Sequence, residues 1–389
     1  MRSPNAVRRL LWSPGELGVG RAYVAGEIDA EGDVFEVLAL LRPAGRDLHG
    51  QAALGTLPAA LAAGARLGVL GRPLRPPPEE APPRWGGVHS PRRDAAAISH
   101  HYDVGNDFYE LVLGPAMTYS CAFFASEGMS LADAQSAKHE LVCRKLGLHE
   151  RSGARLLDVG CGWGSMVIHA ARHHGARAVG ITLSREQAEY ATRRVEREGL
   201  AGSVEIRCCD YRELRGERFD AISSIGMFEH VGRERMDEYF HLLRSLLGDR
   251  GRLLNHAISS VGGSRLPRRS FAARYVFPDG ELIDVGQVVL AMERAGLEVR
   301  DVESLREHYG RTLRSWVANL QDRWPEAVGL VGEGRARVWL LYMAASALGF
   351  EDGGLGIHQV LGVAPAADGN AGMPRTRRGL VLEAADADA

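Results

Sequence analysis

The sequence predicts an α/β protein, a doubly wound and mostly parallel sheet with a small α/β accessory domain at its N-terminal side. Three observations predict it. From Arg155 onward, short apolar runs alternate with segments of helical period. The first run ends in a glycine-rich turn that opens directly into a helix, as ligand-binding open sheets do. Seven prolines, Pro73, Pro76, Pro77, Pro78, Pro82, Pro83 and Pro91, set the preceding segment apart.

The elements follow in order. Leu17–Ile28 reads as turn and strand-like, and Val34–Leu41 and Pro58–Leu67 read as helices. Pro58 suits a first helical turn, where its missing N–H costs nothing. These make a first domain over 1–71, with an extended proline-rich linker over 72–97. Arg155–Val159, Ala176–Ile181, Val204–Cys208, Phe219–Ile225, Gly251–Ile258, Glu298–Ser304 and Gly356–Val363 read as strands. Ser165–His174, Arg185–Glu198, Met236–Leu247, Glu281–Ala295, Arg311–Trp324 and Arg335–Ala347 read as helices. They form one domain over 98–364. The Gly-, Ala- and Asp-rich tail, 365–389, reads as disordered.

Composition narrows the function classes. With 45% hydrophobic and 25% charged residues, the chain is globular and neither fibrous nor disordered. A net charge of -2 argues against a nucleic-acid partner that needs a basic face. Nearly all positive charge is arginine; Lys138 and Lys145 are the only lysines, which reads as genome composition. The five cysteines, Cys121, Cys143, Cys161, Cys208 and Cys209, include no Cys-x-x-Cys pair, so neither a metal site nor a disulfide framework is expected. Neither a signal peptide nor a membrane-spanning run is evident, and a reducing cytoplasm is the expected compartment.

The first strand ends Asp158-Val159-Gly160-Cys161-Gly162-Trp163-Gly164, and Ser165 stands where a nicotinamide fingerprint needs its third glycine. This pattern resembles the first motif of class I S-adenosylmethionine methyltransferases, which have a Rossmann-like sheet. Asp158, Gly160, Gly162 and Gly164 then become cofactor-binding candidates. The second strand ends without the usual ribose-gripping acid, so Gln187 is the candidate for that role, helped by Thr182 beside Leu183. Asp210, next to Tyr211, is placed to accept from an adenine amine, or else to cap a helix.

Further segments occur in family order: His101–Tyr109, Thr118–Phe124, Ser224–Gly232, Leu254–Ile258, Phe277–Gly280 and His308–Leu313. Together they resemble the cyclopropane-fatty-acid-phospholipid synthase family over about Ile98–Gly362. That family includes the mycolic-acid cyclopropane synthases and actinobacterial 10-methylene fatty-acid synthases. The resemblance implies methyl transfer from S-adenosylmethionine to a cis double bond of an acyl chain. It also implies a bicarbonate ion as base, with Cys121, Glu229, His256, Ile258 and Tyr309 as its ligands, Cys121 and Ile258 through backbone N–H. Tyr102, Tyr119 and Ser120 would contact the methionine part of the cofactor. The cysteine that family members often carry in the late helix is Ser346 here.

The chemistry agrees with this set. An alkene carries no proton to remove before attack, so methyl transfer leaves a carbocation that needs a base afterwards. Phe108, Phe228, Phe271, Tyr275, Tyr309 and Trp316 are candidates to face the cation. Arg265, Arg268 and Arg269, with Phe271 beside them, suit an anionic lipid surface or are simply a solvated charge run. The expected substrate is an unsaturated phospholipid, met peripherally at the inner face of the cell membrane. The N-terminal domain would present lipid or contact the second subunit of a homodimer. The expected product is a cyclopropane fatty acyl chain. The alternative is a 10-methylene chain passed to a partner reductase. Two further readings are methylation of a polar small molecule and a non-catalytic lipid-binding protein.

Overall fold

In the computed structural model, Leu156 and Leu157 are chain neighbours that pack into two different cores. They sit in strand β1, Arg155–Val159. Successive strand residues face opposite sides, and here both sides are covered, which is why adjacent residues are both apolar and buried. The structure describes residues 1–47, 62, 64–66, 68–81, 104–263, 267, 269–278, 280–377 and 380–381.

The described chain divides into two compact units. One comprises 86–265, 279–312 and 350–389. It holds a seven-stranded sheet in the order β3-β2-β1-β4-β5-β7-β6. The other strands are β2 (Arg177–Thr182), β3 (Val204–Cys208), β4 (Phe219–Ile225), β5 (Leu247–Ser259), β6 (Glu298–Ser304) and β7 (Gly356–Val363). Strands β1 to β5 pair in parallel, and β7 runs antiparallel to both β5 and β6. The order reverses between β1 and β4, the switch point where open sheets bind ligands. One face is covered by the helices Met236–Leu246 and Val285–Arg294, the other by Leu131–Leu146 and Ser165–His174.

Strands β1, β3, β4, β6 and β7 and the helix Ser165–His174 have their expected bounds, and most of the other elements shift only at their ends. The helices Asn106–Leu113 and Leu131–Leu146 were not anticipated. The second carries a legible start: the Ser130 hydroxyl accepts from the Asp133 N–H at 3.2 Å. The helix expected over 311–324 begins at Arg306, and Pro325 opens a further helix, Trp324–Val331. Residues 365–377 and 380–381 are placed, contrary to a disordered tail: Leu380 is buried in one core, and Arg377 pairs with Asp301 at 2.8 Å.

The other unit comprises 1–85, 266–278 and 313–349, so it is not contiguous in sequence. Its described N-terminal residues are helical, over Asn5–Trp12, Glu16–Val24 and Val34–Asp47, which corrects the α/β accessory domain to a helical one. The segment expected as turn and strand is the helix Glu16–Val24. Packing overrides its glycines there: a Cβ on Gly20 would meet the Phe271 ring at 2.4 Å. Phe271 is buried and stacks on Tyr275, with centroids 4.5 Å apart, so it does not flank an exposed basic strip. Arg269 is exposed, whereas Arg265 and Arg268 lie outside the described residues. Of the linker, 72–81 is described, and its Glu80 is buried between Arg21 and Arg274 at 2.7 and 2.6 Å. The helix expected over 58–67 and the remainder of the linker fall largely outside the described residues.

Candidate active site

The turn after β1 is built on backbone that L-residues avoid. Gly160 and Gly162 have φ of 80° and 54°, and the Gly160 and Cys161 N–H groups both donate to Ile181 O. Gly164, at φ 83°, starts the helix Ser165–His174; a Cβ there would meet Ala191 Cβ at 3.2 Å. Gly164 therefore serves helix packing and lines neither cavity described next.

Two cavities meet at this turn and share Gly160, Gly162, Gln187 and Gly226. The first, about 500 Å³ with its open mouth, is bordered by Tyr119, Ser120, Lys138, Asp158 and Trp163. The second, about 540 Å³, is bordered by Ile181, Thr182, Leu183, Tyr211 and Met227. One half is thus rich in charged and hydroxyl groups and the other more apolar, which suits a ligand with an amino-acid end and a flat ring system.

Asp158 Oδ1 accepts from Ser223 Oγ at 2.6 Å, and burial raises the carboxyl to about 6. Ser120 Oγ accepts from Lys138 Nζ at 3.2 Å, and burial lowers that ammonium to about 8. Thr182 Oγ1 donates to Gln187 Oε1 at 2.8 Å, so the pair proposed for the ribose is a preformed unit. Tyr211 borders the second cavity, but Asp210 does not. Both oxygens of Asp210 are engaged by Arg212, and it caps the turn Tyr211–Glu213, the capping alternative of the two. Tyr102 lies outside the described residues. Lys138, His139, Trp163, Gly226 and Met227 border the cavities and were missed.

Replacing Gly160 by Ala should weaken S-adenosylmethionine binding about tenfold or more. The left-handed conformation costs a non-glycine residue ~1–2 kcal/mol, and the new Cβ would meet Met227 Cγ at 3.0 Å. Calorimetric titration of the full chain checks this, and unchanged affinity would remove the turn from the cofactor site.

Of the five residues assigned to a small anion, Glu229 follows β4, and His256 and Ile258 lie near the end of β5. Gly226 N–H donates to His256 O at 2.8 Å, and Ile258 N–H donates to Glu229 Oε1 at 2.7 Å. That backbone donor, expected to hold the anion, is thus given to Glu229. Leu305 ties in the rest: its N–H donates to Ile357 O, its carbonyl accepts from Cys121 Sγ at 3.6 Å, and it lies one helical turn before Tyr309. Ile357 pairs with Ile258 across β5 and β7.

Burial sets the electrostatics. Glu229 is raised to about 7 by desolvation, which the Ile258 N–H only partly offsets. His256 is held well below the ordinary imidazole value by burial, so it is neutral. Gln359 Nε2 donates to His256 Nδ1 at 3.3 Å, which puts the ring proton on Nε2. Glu229 Oε2 and His256 Nε2 are buried without hydrogen-bond partners among the described residues. Such orphans point to a ligand, since buried polar groups are otherwise satisfied. Burial pushes the Cys121 thiol far up, against a nucleophilic role. Gln359 was missed; a fully buried polar residue within the apolar run Val360-Leu361 is the signal that could have found it. Phe108, Phe228 and Tyr309 are buried in this unit, while Phe271, Tyr275 and Trp316 belong to the other.

A family model described as mycolic acid cyclopropane synthetase matches residues 89–360. The Mycobacterium tuberculosis protein named "Probable fatty acid methyltransferase Rv3720" is 44% identical, over 96% of this chain and 88% of its own length. The Escherichia coli cyclopropane-fatty-acyl-phospholipid synthase is 35% identical, over 72% of this chain and 70% of its own. Among solved structures, the mycolic acid cyclopropane synthase CmaA1 complexed with SAH and CTAB superposes with a TM-score of 0.65 at 34% identity. It covers 69% of this chain and 98% of that one. No described helix is long and apolar enough to cross a membrane.

Proposed function

The chain belongs to the mycolic acid cyclopropane synthetase family and is an S-adenosylmethionine-dependent methyltransferase, and on that premise we propose that it methylates the cis double bond of an unsaturated phospholipid acyl chain. The observation that carries the proposal is the buried pair of unspent groups, Glu229 Oε2 in the turn Phe228–His230 after β4 and the His256 Nε2–H on β5.

Bound S-adenosylmethionine supplies an electrophilic methyl group. The protein's part is to hold that group against the alkene and to keep water away. Tyr119, Ser120 and Trp163 border the methionine half of the groove, and Thr182, Leu183 and Gln187 border the adenosine half. When the π electrons form the new carbon–carbon bond, the chain is left one proton in excess and cationic. Buried ring faces of Phe108, Phe228 and Tyr309 favour that charge electrostatically.

The donor set fits a small oxyanion such as bicarbonate, which when bound would supply the base. His256 Nε2–H is a fixed neutral donor. Glu229, with its carboxyl near neutrality, can hold or release a proton at Oε2 while Oε1 stays anchored to Ile258. Tyr309 and the Cys121 backbone complete the proposed enclosure. With methylation of a polar oxygen or nitrogen, this buried assembly would have no shared task.

Proton loss from the added methyl closes a cyclopropane ring, the first reading. A second reading, a 10-methylene chain formed after a hydride shift, is favoured by one observation: a relative 32% identical over 92% of this chain is named a tuberculostearic acid methyltransferase, after a methyl-branched chain. The test is incubation of the full chain with S-adenosylmethionine and dioleoyl-phospholipid vesicles, then mass spectrometry of the released acyl esters. The expected result is an acyl chain heavier by one CH2. Mild hydrogenation adds two hydrogens to a methylene and none to a cyclopropane. An unmodified acyl chain would overturn the proposed substrate.

A further inference from the structure

Away from the cofactor groove, two helices bring a thiol, two imidazoles and a carboxylate together. Glu140 and Cys143 lie three residues apart on Leu131–Leu146, hence on one face of that helix. His169 and His174 come from Ser165–His174, which covers the same side of the sheet. The ligand atoms of Cys143, His169 and His174 all lie within 4.8 Å of one another. His169 Nε2 and His174 Nε2 approach the same oxygen, Glu140 Oε2, at 3.3 and 2.8 Å.

We propose that Glu140, Cys143, His169 and His174 form a Zn²⁺-binding site that clasps these two helices. One thiolate, two imidazoles and one carboxylate are the ligand types tetrahedral zinc takes. The ligand atoms of such a site stand roughly 3–4 Å apart, so rotamer adjustment of about 1 Å closes Cys143, His169 and His174 onto an ion, and Glu140 Oε2, already against both imidazoles, turns in as the fourth ligand. Arg144 already engages the other carboxylate oxygen, Glu140 Oε1, at 2.9 Å, which leaves Oε2 for the metal. The set is also electrically suited: the ion's two charges balance one thiolate and one carboxylate in a half-buried place.

Binding releases one proton. Burial keeps Cys143 as a thiol until a metal takes the sulfur, whereupon that proton leaves to solvent. Each imidazole moves its proton to Nδ1 and coordinates through Nε2. An entry path exists, because Glu140 is a quarter exposed and the ring of the solvent-facing His173 lies 4.5 Å from that of His169. A search for Cys-x-x-Cys spacing misses such a site, since its ligands come from separate helices.

The site would also brace the cofactor groove. The helix Leu131–Leu146 carries Lys138 and His139 to the first cavity, and His139 lies 5.6 Å from His169. Clasping that helix fixes groups on its other side.

The experiment uses the full chain without an affinity tag, stripped by chelator and titrated with Co²⁺ and then Zn²⁺. Expected are one equivalent of Co²⁺ with the visible bands of a tetrahedral ion and a thiolate-to-cobalt band in the near ultraviolet. Zn²⁺ should displace it with a Kd below about 1 µM. Cys143→Ser should lose the thiolate band, and His174→Gln and His169→Asn should each weaken binding at least ~10-fold. Retained S-adenosylmethionine binding certifies that each variant is folded. Affinity weaker than about 10 µM, or an unchanged cobalt spectrum in folded Cys143→Ser and His174→Gln, overturns the site.

Discussion

Replacing Glu229 by Gln is expected to lower kcat for acyl methylation by about 10²–10⁴-fold while S-adenosylmethionine binding changes little. The substitution keeps shape, and its carbonyl oxygen can still accept from the Ile258 N–H at 2.7 Å. What it removes is the group at Oε2 that can take up and release a proton. The same change should stabilise the fold at alkaline pH. Burial raises the Glu229 carboxyl from 4.5 to about 7, so the folded state disfavours its ionised form. A raised carboxyl contributes fully below about pH 4.5, and that contribution is lost as pH rises through about 7. Above pH 7 the parent carries the cost of a buried charge, on the order of 1–3 kcal/mol, which the Gln variant avoids. Urea unfolding at pH 5 and pH 8 should therefore show the variant gaining only at pH 8. The parent's kcat should rise through about pH 7 as Glu229 ionises. Full activity in the variant, or a flat pH profile in the parent, would remove Glu229 from the chemistry.

Replacing Lys145 by Met should cost about 3–5 kcal/mol of stability. Lys145 is fully buried, with its ammonium 3.1 Å from Asp301 and 2.5 Å from Glu303. Met matches its volume, so the loss isolates the charge. Asp301 is itself buried and would keep only the exposed Arg377 at 2.8 Å. Adding Asp301→Asn should recover part of the loss at pH 7. A single variant as stable as the parent by urea titration would show that the ion triad is dispensable.

How far the sequence reading reached depended on whether a segment's pattern is local. Strands such as Phe219–Ile225 send apolar residues to both faces, Phe219 and Ile222 to one core and Ala221 and Ile225 to the other, because both sheet faces are covered, and their bounds are legible locally. The glycine turn was legible because its positive φ angles admit little else. The helix Glu16–Val24 was not, since its Gly20 packs against the ring of Phe271, distant in sequence. Asp210 shows the limit at the site: an acid after a strand can cap or bind, and the sequence does not say that Arg212 engages both of its oxygens. The grouping of Glu229 with His256 rested on resemblance rather than pattern, because their adjacency is made by strand pairing. Gln359, which sets the His256 tautomer, sits on the antiparallel strand β7 and is 103 residues away in sequence.

The two lysines close on a different point. An excess of arginine over lysine reads as genome composition, yet both lysines are buried at charged centres, Lys138 at the cofactor cavity and Lys145 in the ion triad. Where one compact cation must fit a closed space, a guanidinium fork is too broad. Amine chemistry thereby becomes a gauge of integrity. Side-chain acylating reagents, lysine acetylation and a lysine-specific protease have two targets in this chain, both shut while it stays folded. Labelling at Lys138 or Lys145 would count opening events directly, with the many surface arginines giving no background.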